Sequence, residues 1–209
     1  PDTFFQHREA SNTAYNRLVE TVVENMEKVN QRIGTHYKPF NYYGAPDAQR
    51  VIVLMGSAAE TAKETVDYLT ARGEKVGLIN VHLYRPFSAE HFLAALPAAA
   101  RKIAVLDRTK EPGAMGEPLY QDVCAVCQRR GMDLDIVGGR YGLSSKDTTP
   151  GQILAVFENL KLDAPKHDFT VGIVDDVTFR SLPVGEEISL AKPGTFEALF
   201  FGLGADGTV

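Results

Sequence analysis

"VIVLMGSAAETAKETVDYL", residues 51–69, joins a short apolar run to a segment with helical periodicity. The run is continuous and rich in β-branched residues, which is typical of a strand buried on both faces of a sheet. Ser57 and Glu60 have the spacing of a capping box, so we expect a helix that extends to Ala71 and is closed by Gly73. A buried strand followed at once by a helix is the building unit of parallel α/β sheets.

The same strand-then-helix unit recurs three more times along the chain. We expect the further strands at 75–84, 101–107 and 133–139. The helices that follow them are expected to begin at Ser88, at Glu117-Pro118 and at Thr149, which are residues favoured at helix starts. Four such units with short links predict an α/β fold with an open, mostly parallel sheet and helices on both faces. The order of the strands is not predicted.

Segments of different character flank the predicted α/β unit. Residues 13–33 carry apolar side chains in steps of three and four, which predicts an amphipathic N-terminal helix capped by Ser11 or Asn12 and closed by Gly34. After residue 162 the helical period is lost and prolines are scattered, which predicts an extended C-terminal arm. We therefore divide the chain into a helix and connector (1–43), an α/β domain (44–162), an extended arm (163–193) and the first strand of a further domain (194–209).

Composition narrows the functional classes. The formal net charge is −5, which argues against non-specific binding to nucleic acid or to an anionic membrane. No apolar run approaches the roughly 20 residues that a membrane-spanning helix needs. The two cysteines do not make a disulfide framework, so we expect a protein of the reducing cytoplasm.

Positive side chains collect where the predicted strands end. We call Arg85, Arg108, Lys110 and Arg140 the crest. Ligands bind beyond the carboxyl ends of the strands in open α/β sheets, so the crest is a possible anion site made of cationic groups and helix N-termini. Acids such as Asp107 and Glu111 are interleaved with it. We therefore favour a mixed-charge surface that pairs with itself or docks a neighbouring domain, because most surface ion pairs contribute little.

Motifs for catalysis are poorly represented. There is no G-x-S-x-G elbow, no H-E-x-x-H pair and no Walker loop, and we expect no metal site. Cys124 and Cys127 fall in mid-helix on an apolar stripe, which favours packing over a redox or zinc role. Gly202, Gly204 and Gly207 form a G-x-G-x-x-G pattern after an apolar run, which alone is a weak signal for phosphate binding. The chain begins at Pro1 without methionine and ends in this glycine-rich turn, so we expect a piece of a longer protein.

Several of these stretches also resemble one known family. "VIVLMGSAAETAKETVDYL", "KIAVLDRTKEPGAMGEPLYQDV", "GGRYGLSSKDTTPGQILAVFENL", "FTVGIVDDVTF" and "FFGLGADGTV" are together similar to pyruvate:ferredoxin (flavodoxin) oxidoreductase. The resemblance runs over essentially the whole chain. It implies the second domain of that enzyme, which resembles the C-terminal domain of transketolase, together with the start of the third.

The resemblance also implies a function for the intact enzyme. That enzyme converts pyruvate and coenzyme A to acetyl-CoA and CO2, using thiamine diphosphate, magnesium and iron–sulfur clusters, and passes electrons to ferredoxin or flavodoxin. The family holds its thiamine cofactor and its clusters on other segments, so we expect no cofactor and no catalytic residue here. Gly202, Gly204, Asp206 and Gly207 match the opening of the third domain and are candidate contacts to coenzyme A in an incomplete site.

Two hypotheses about this chain follow. The first is an inactive structural domain that contacts other domains of the parent enzyme, which we expect to be a homo-oligomer. The second is a regulatory module that binds an anion or a nucleotide through the crest.

Overall fold

The structure, a computed structural model, describes residues 1–185, 187–191, 194–199 and 201. It confirms the predicted α/β fold. The helices are α1 (Asp2–Ile33), α2 (Ala58–Thr70), α3 (Ala89–Ala95), α4 (Pro118–Arg129) and α5 (Pro150–Lys161). The strands are β1 (Phe40–Gly44), β2 (Arg50–Met55), β3 (Val76–Val81), β4 (Lys102–Asp107), β5 (Asp135–Arg140) and β6 (Phe169–Thr170).

The six strands form one sheet in the order β1-β3-β2-β4-β5-β6. Strands β2 to β6 run parallel to their neighbours, and β1 pairs antiparallel with β3 at the edge. Val53 at the centre lies opposite Ile79 of β3 and Val105 of β4. The mostly parallel sheet is therefore as predicted, and its strand order is a new finding.

Two apolar cores lie on the two faces of the sheet. Ile52 and Leu54 of β2 point to the face covered by α2 and α5. Val51 and Val53 point to the opposite face, which α3 and α4 cover. All four side chains are fully buried, because successive strand residues alternate between faces and both faces carry helices.

The sequence predicted a connector without regular structure up to residue 43. The structure instead shows strand β1 at Phe40–Gly44. This segment joins the sheet, with Phe40 only 2% exposed. The strand fits beside β3 because Gly77 leaves room for Tyr42: a Cβ at Gly77 would lie 2.3 Å from the Tyr42 hydroxyl oxygen. The division of the chain into four segments stays a prediction.

Helix ends were predicted with mixed success. Ser88 and Thr149 cap α3 and α5 as expected, and Gly34 ends α1 in the left-handed conformation with φ 70°. The caps predicted at Ser11 and Asn12 are wrong, because α1 begins at Asp2 and runs through them. The capping box at Ser57 is wrong too, because Ser57 has helical backbone angles and its side chain makes no capping bond.

The two ends of the chain leave apolar side chains exposed. Helix α1 has no buried residue. Of the strand predicted to open a further domain, residues 194–199 and 201 are described and none of them lies in a strand. Among the described residues, no helix combines the length and the hydropathy that crossing a bilayer requires.

Candidate functional site

The fold places a cleft at the carboxyl ends of β2 and β4. From β2 the chain crosses to β3 on one side, and from β4 it crosses to β5 on the other side. Such a reversal opens a crevice where ligands of open α/β sheets bind. The cleft has a volume of about 270 Å³, and its lining includes Ser57, Thr61, Arg108, Tyr141 and Lys146.

Three polar side chains that line this cleft have partners in the chain. Arg108 Nε donates a hydrogen bond to the Gly142 carbonyl oxygen at 2.7 Å, and Lys146 Nζ donates to the Gly172 carbonyl oxygen at 3.0 Å. The Tyr141 hydroxyl donates to the Met55 carbonyl oxygen at 3.1 Å. The cleft thus has a cationic lining, but its cations hold loops in place.

Two of the crest cations meet at a buried acid, Glu117, which was not among the predicted site residues. Arg140 Nε lies 2.6 Å from Glu117 Oε1, and the side chains of the pair are 13% and 5% exposed. Lys110 Nζ lies 3.7 Å from the same oxygen. Arg140 also donates to the Asp168 carbonyl oxygen at 2.8 Å. Glu117 sits at the N-terminus of α4, where a negative charge is favourable.

Arg85 lies apart from this group. Its Nη1 atom is 2.7 Å from Asp122 Oδ2, in an ion pair whose angles do not satisfy a hydrogen bond. The guanidinium stacks at 3.9 Å over the Tyr84 ring and donates to the Tyr84 hydroxyl at 2.9 Å. The four crest residues are therefore distributed between the cleft, the buried acid and the surface of α4.

Asp107 shapes the turn that carries much of the crest. Its two carboxylate oxygens accept hydrogen bonds from the backbone N–H groups of Leu119 and Tyr120, at 3.0 and 3.1 Å. The residue is only 6% exposed, and burial raises the pKa of its carboxyl above the ordinary value even though these two bonds lower it. Asp107 thus satisfies the free N–H groups at the start of α4, which is a structural task.

The cysteines do not suit a cluster or a metal. Cys127 is buried against the core and burial raises its pKa to about 11, while burial also raises the pKa of Cys124. A four-iron cluster needs four thiolates. Among the residues that the structure describes, no group of three His, Cys, Asp or Glu side chains could hold a metal ion. The donor set therefore does not fit an iron–sulfur cluster.

The glycine-rich candidate site for coenzyme A lies outside the residues that the structure describes. Gly202, Gly204, Asp206 and Gly207 all fall beyond the described residues. Their assignment as contacts to coenzyme A stays a prediction.

Comparison with known families identifies the family of this chain. Residues 48–153, just over half of the chain, match the family model described as pyruvate:ferredoxin oxidoreductase core domain II. The chain belongs to this family. The match covers β2 through the first turn of α5, so this core domain II includes the cleft and all four crest residues.

Curated relatives match over the entire chain. It is 57% identical over 209 residues to the pyruvate:ferredoxin oxidoreductase of Moorella thermoacetica. It is 54% identical to the pyruvate-flavodoxin oxidoreductase of Enterobacter agglomerans and 53% identical to the probable pyruvate-flavodoxin oxidoreductase of Escherichia coli. In each case the match covers 100% of this chain, which spans only 18% of the length of the relative.

One solved structure is a more distant match. It is the 2-oxoglutarate:ferredoxin oxidoreductase from Magnetococcus marinus with 2-oxoglutarate, coenzyme A and succinyl-CoA bound. The alignment covers 60% of this chain and 20% of that chain, with a TM-score of 0.42 and 20% sequence identity.

Proposed function

We propose that this chain is a non-catalytic structural domain of a pyruvate:ferredoxin or pyruvate:flavodoxin oxidoreductase. The observation that carries the proposal is its 57% identity, over its whole length, to about one fifth of such an enzyme. In the intact enzyme, pyruvate and coenzyme A give acetyl-CoA and CO2, and the two electrons released pass to ferredoxin or flavodoxin. The chain alone is inactive under this proposal.

The geometry of the crest supports a structural role. Arg140 and Lys110 lie at the buried Glu117, and Arg108 holds the loop at Gly142. To bind a ligand, Arg140 would have to break its buried ion pair with Glu117. No contact of the described crest residues favours the alternative of an anion-binding or nucleotide-binding regulatory module.

The cofactors of the intact enzyme belong to other parts of the polypeptide in this proposal. Thiamine diphosphate with magnesium would stabilise the carbanion formed on decarboxylation, and iron–sulfur clusters would carry the electrons. Cys124 and Cys127 do not supply a ligand set for a cluster. We assign coenzyme A to a site that Gly202, Gly204, Asp206 and Gly207 help to form in the intact enzyme.

The partners and location are part of the same proposal. The other domains of the parent polypeptide contact this one, the parent is a homo-oligomer of the cytoplasm, and ferredoxin or flavodoxin accepts its electrons. The relatives named above carry both acceptors in their names.

The test uses the full-length polypeptide that contains this chain, purified without oxygen. We expect pyruvate oxidation that depends on coenzyme A and reduces ferredoxin or flavodoxin. Oxidation of a different 2-oxoacid without activity on pyruvate would overturn the proposed substrate. Assays with each acceptor in turn identify the electron partner.

A further inference from the structure

The loop Ile173 to Ser181 presents apolar side chains to solvent and polar ones to itself. Val174 is 84% exposed, Val177 is 81% exposed and Phe179 is 75% exposed. Surface loops usually show the reverse arrangement, with polar side chains outward. Exposed apolar groups that cluster in this way are typical of an interaction surface.

The carboxylate of Asp175 fixes the shape of this loop. It accepts hydrogen bonds from the N–H groups of Val177 at 3.0 Å, Thr178 at 2.9 Å and Arg180 at 3.0 Å, and from the Thr178 hydroxyl. These bonds hold the pKa of Asp175 well below its ordinary value, with the Thr178 hydroxyl as the largest cause. The loop is thus ordered from within, by one side chain, without support from its apolar groups.

A second set of bonds ties the loop to the edge of the sheet. The Ser181 hydroxyl accepts from the Asp175 N–H at 2.8 Å and lies 3.0 Å from the Ile173 carbonyl oxygen. The Leu182 N–H donates to the Thr170 carbonyl oxygen in β6 at 2.8 Å, and the Leu182 side chain is buried in the core. Both ends of the loop are therefore anchored on the folded domain.

The bonding also imposes an unusual backbone on Phe179. Its φ is 57°, in the left-handed region that large side chains rarely occupy. Arg180, the next residue, is held by its N–H bond to Asp175 and by an ion pair of 2.8 Å with Asp168. The Phe179 side chain itself is exposed to solvent. Strained residues of this kind cluster at functional sites and ligand clamps.

We propose that Val174, Val177 and Phe179 form a pre-ordered apolar surface that docks into an apolar cleft elsewhere in the same polypeptide. This inference rests on the proposed function, because it needs the parent to be longer than this chain. The relatives supply that length, since more than four fifths of each of them lies outside the match. The chain continues from the loop through further exposed apolar residues, Phe196 and Leu199.

The size of the surface favours another part of the same polypeptide over a separate molecule. A stable interface between independent proteins buries roughly 800 Å² on each partner, which three side chains cannot supply. Docking within one polypeptide needs much less, because covalent linkage gives a high effective concentration. A loop already held in its bound shape also loses little entropy on docking.

Hydroxyl-radical footprinting of the full-length polypeptide tests the proposal. For each residue, the modification rate read by mass spectrometry is divided by its rate in the denatured protein. We expect Phe179 to be protected at least tenfold, close to the fully buried Phe157, and its protection to be independent of protein concentration. A rate for Phe179 near that of the denatured protein would overturn the proposal. Protection that disappears on dilution would assign the surface to a second copy and overturn it too.

A variant series shows whether the apolar groups are the cause. Phe179→Ser in the full-length polypeptide should increase the modification of Val174 and Val177 at least threefold, because the docked surface is released. Phe179→Leu, which keeps an apolar group, should leave both protected. Equal modification rates of Val174 and Val177 in the two variants would contradict docking by these side chains. If either variant does not fold, the footprint of the wild type decides between docking and exposure.

The same preparation separates this inference from the proposed function. Protection of Phe179 in a polypeptide that does not oxidise pyruvate would leave the docking surface standing and refute the function. An exposed Phe179 in a polypeptide that does oxidise pyruvate would refute the docking surface alone.

Discussion

The guanidinium of Arg140 lies 2.6 Å from the carboxylate of Glu117, and both side chains are almost entirely buried. The pair joins the end of β5 to the start of α4. Arg140 also bonds the backbone of Asp168, whose side chain pairs with Arg180 beside the apolar loop. Arg140 was predicted from the sequence as part of a possible anion site. In the structure it instead links three segments of the domain, and we call the pair of Arg140 and Glu117 the brace.

Breaking the brace should destabilise the domain strongly. Glu117→Gln keeps the shape of the side chain but leaves the Arg140 charge buried without its main counterion, which typically costs about 3 kcal/mol. The free energy of unfolding, measured by urea denaturation, checks this. Glu60→Gln is the matched control, because Glu60 pairs with Lys63 in an exposed position and should cost less than about 1 kcal/mol. Equal small losses in both variants would contradict the brace.

Asp107 should give the domain a distinct pH dependence. Burial raises the pKa of Asp107 in the folded state, so folding favours the protonated form. Its contribution to stability is full below the unfolded pKa of about 3.9 and is lost as the pH rises through the folded pKa. Asp107→Asn cannot titrate. The stability of the wild type minus that of Asp107→Asn, from urea denaturation, should therefore fall as the pH rises above about 4. A difference that grows with pH would mean that the carboxylate bonds to α4 outweigh burial.

Substitution of Gly139 in β5 by alanine should lower the stability of the domain much more than the same substitution at an exposed glycine. A Cβ at Gly139 would lie 2.2 Å from ring atoms of Phe169, which is fully buried. Gly139→Ala should therefore destabilise the domain by about 1–3 kcal/mol through overpacking. Gly185→Ala is the control, because, among the described residues, no atom beyond its chain neighbours lies within 4 Å of the added Cβ, and it should change stability by less than about 0.5 kcal/mol. Thermal or urea unfolding of the two variants distinguishes these outcomes.

The thiol of Cys127 should be nearly inert. Burial raises its pKa to about 11, so at pH 7.5 it carries roughly 300-fold less thiolate than a free cysteine of pKa about 8.5. Alkylation by iodoacetamide, followed by mass spectrometry, should be slower than that of a model peptide by at least this factor. Rapid modification of Cys127 in the folded chain would support a thiol redox role and contradict packing.

Local pattern was enough to predict most of the fold. The continuous apolar run at 51–54 predicts a strand that is buried on both faces. In the structure all four of these side chains are fully buried. Strand β1 was missed because it is short, polar at Asn41 and adjacent to a proline, so it lacks a strand signature of its own. It becomes a strand only by pairing with β3, which lies more than 30 residues later. Strand order has the same origin in long-range packing.

The candidate site was harder to predict because its contacts join distant residues. The crest residues were identified by type and position, but their partners were not. Glu117 lies 23 residues before Arg140 and Asp168 lies 28 residues after it. The helix start at Glu117-Pro118 was the one available signal, since an acid there is favoured by the helix dipole. Charge sign alone could not separate a ligand site from a brace.

Calorimetric titration of the folded chain with coenzyme A tests most directly whether the crest supports the domain or binds a ligand. The account predicts no binding at micromolar concentrations, for the wild type and for Arg108→Ala alike, because the crest cations are engaged inside the chain. Micromolar binding by the wild type that is lost in Arg108→Ala would contradict it.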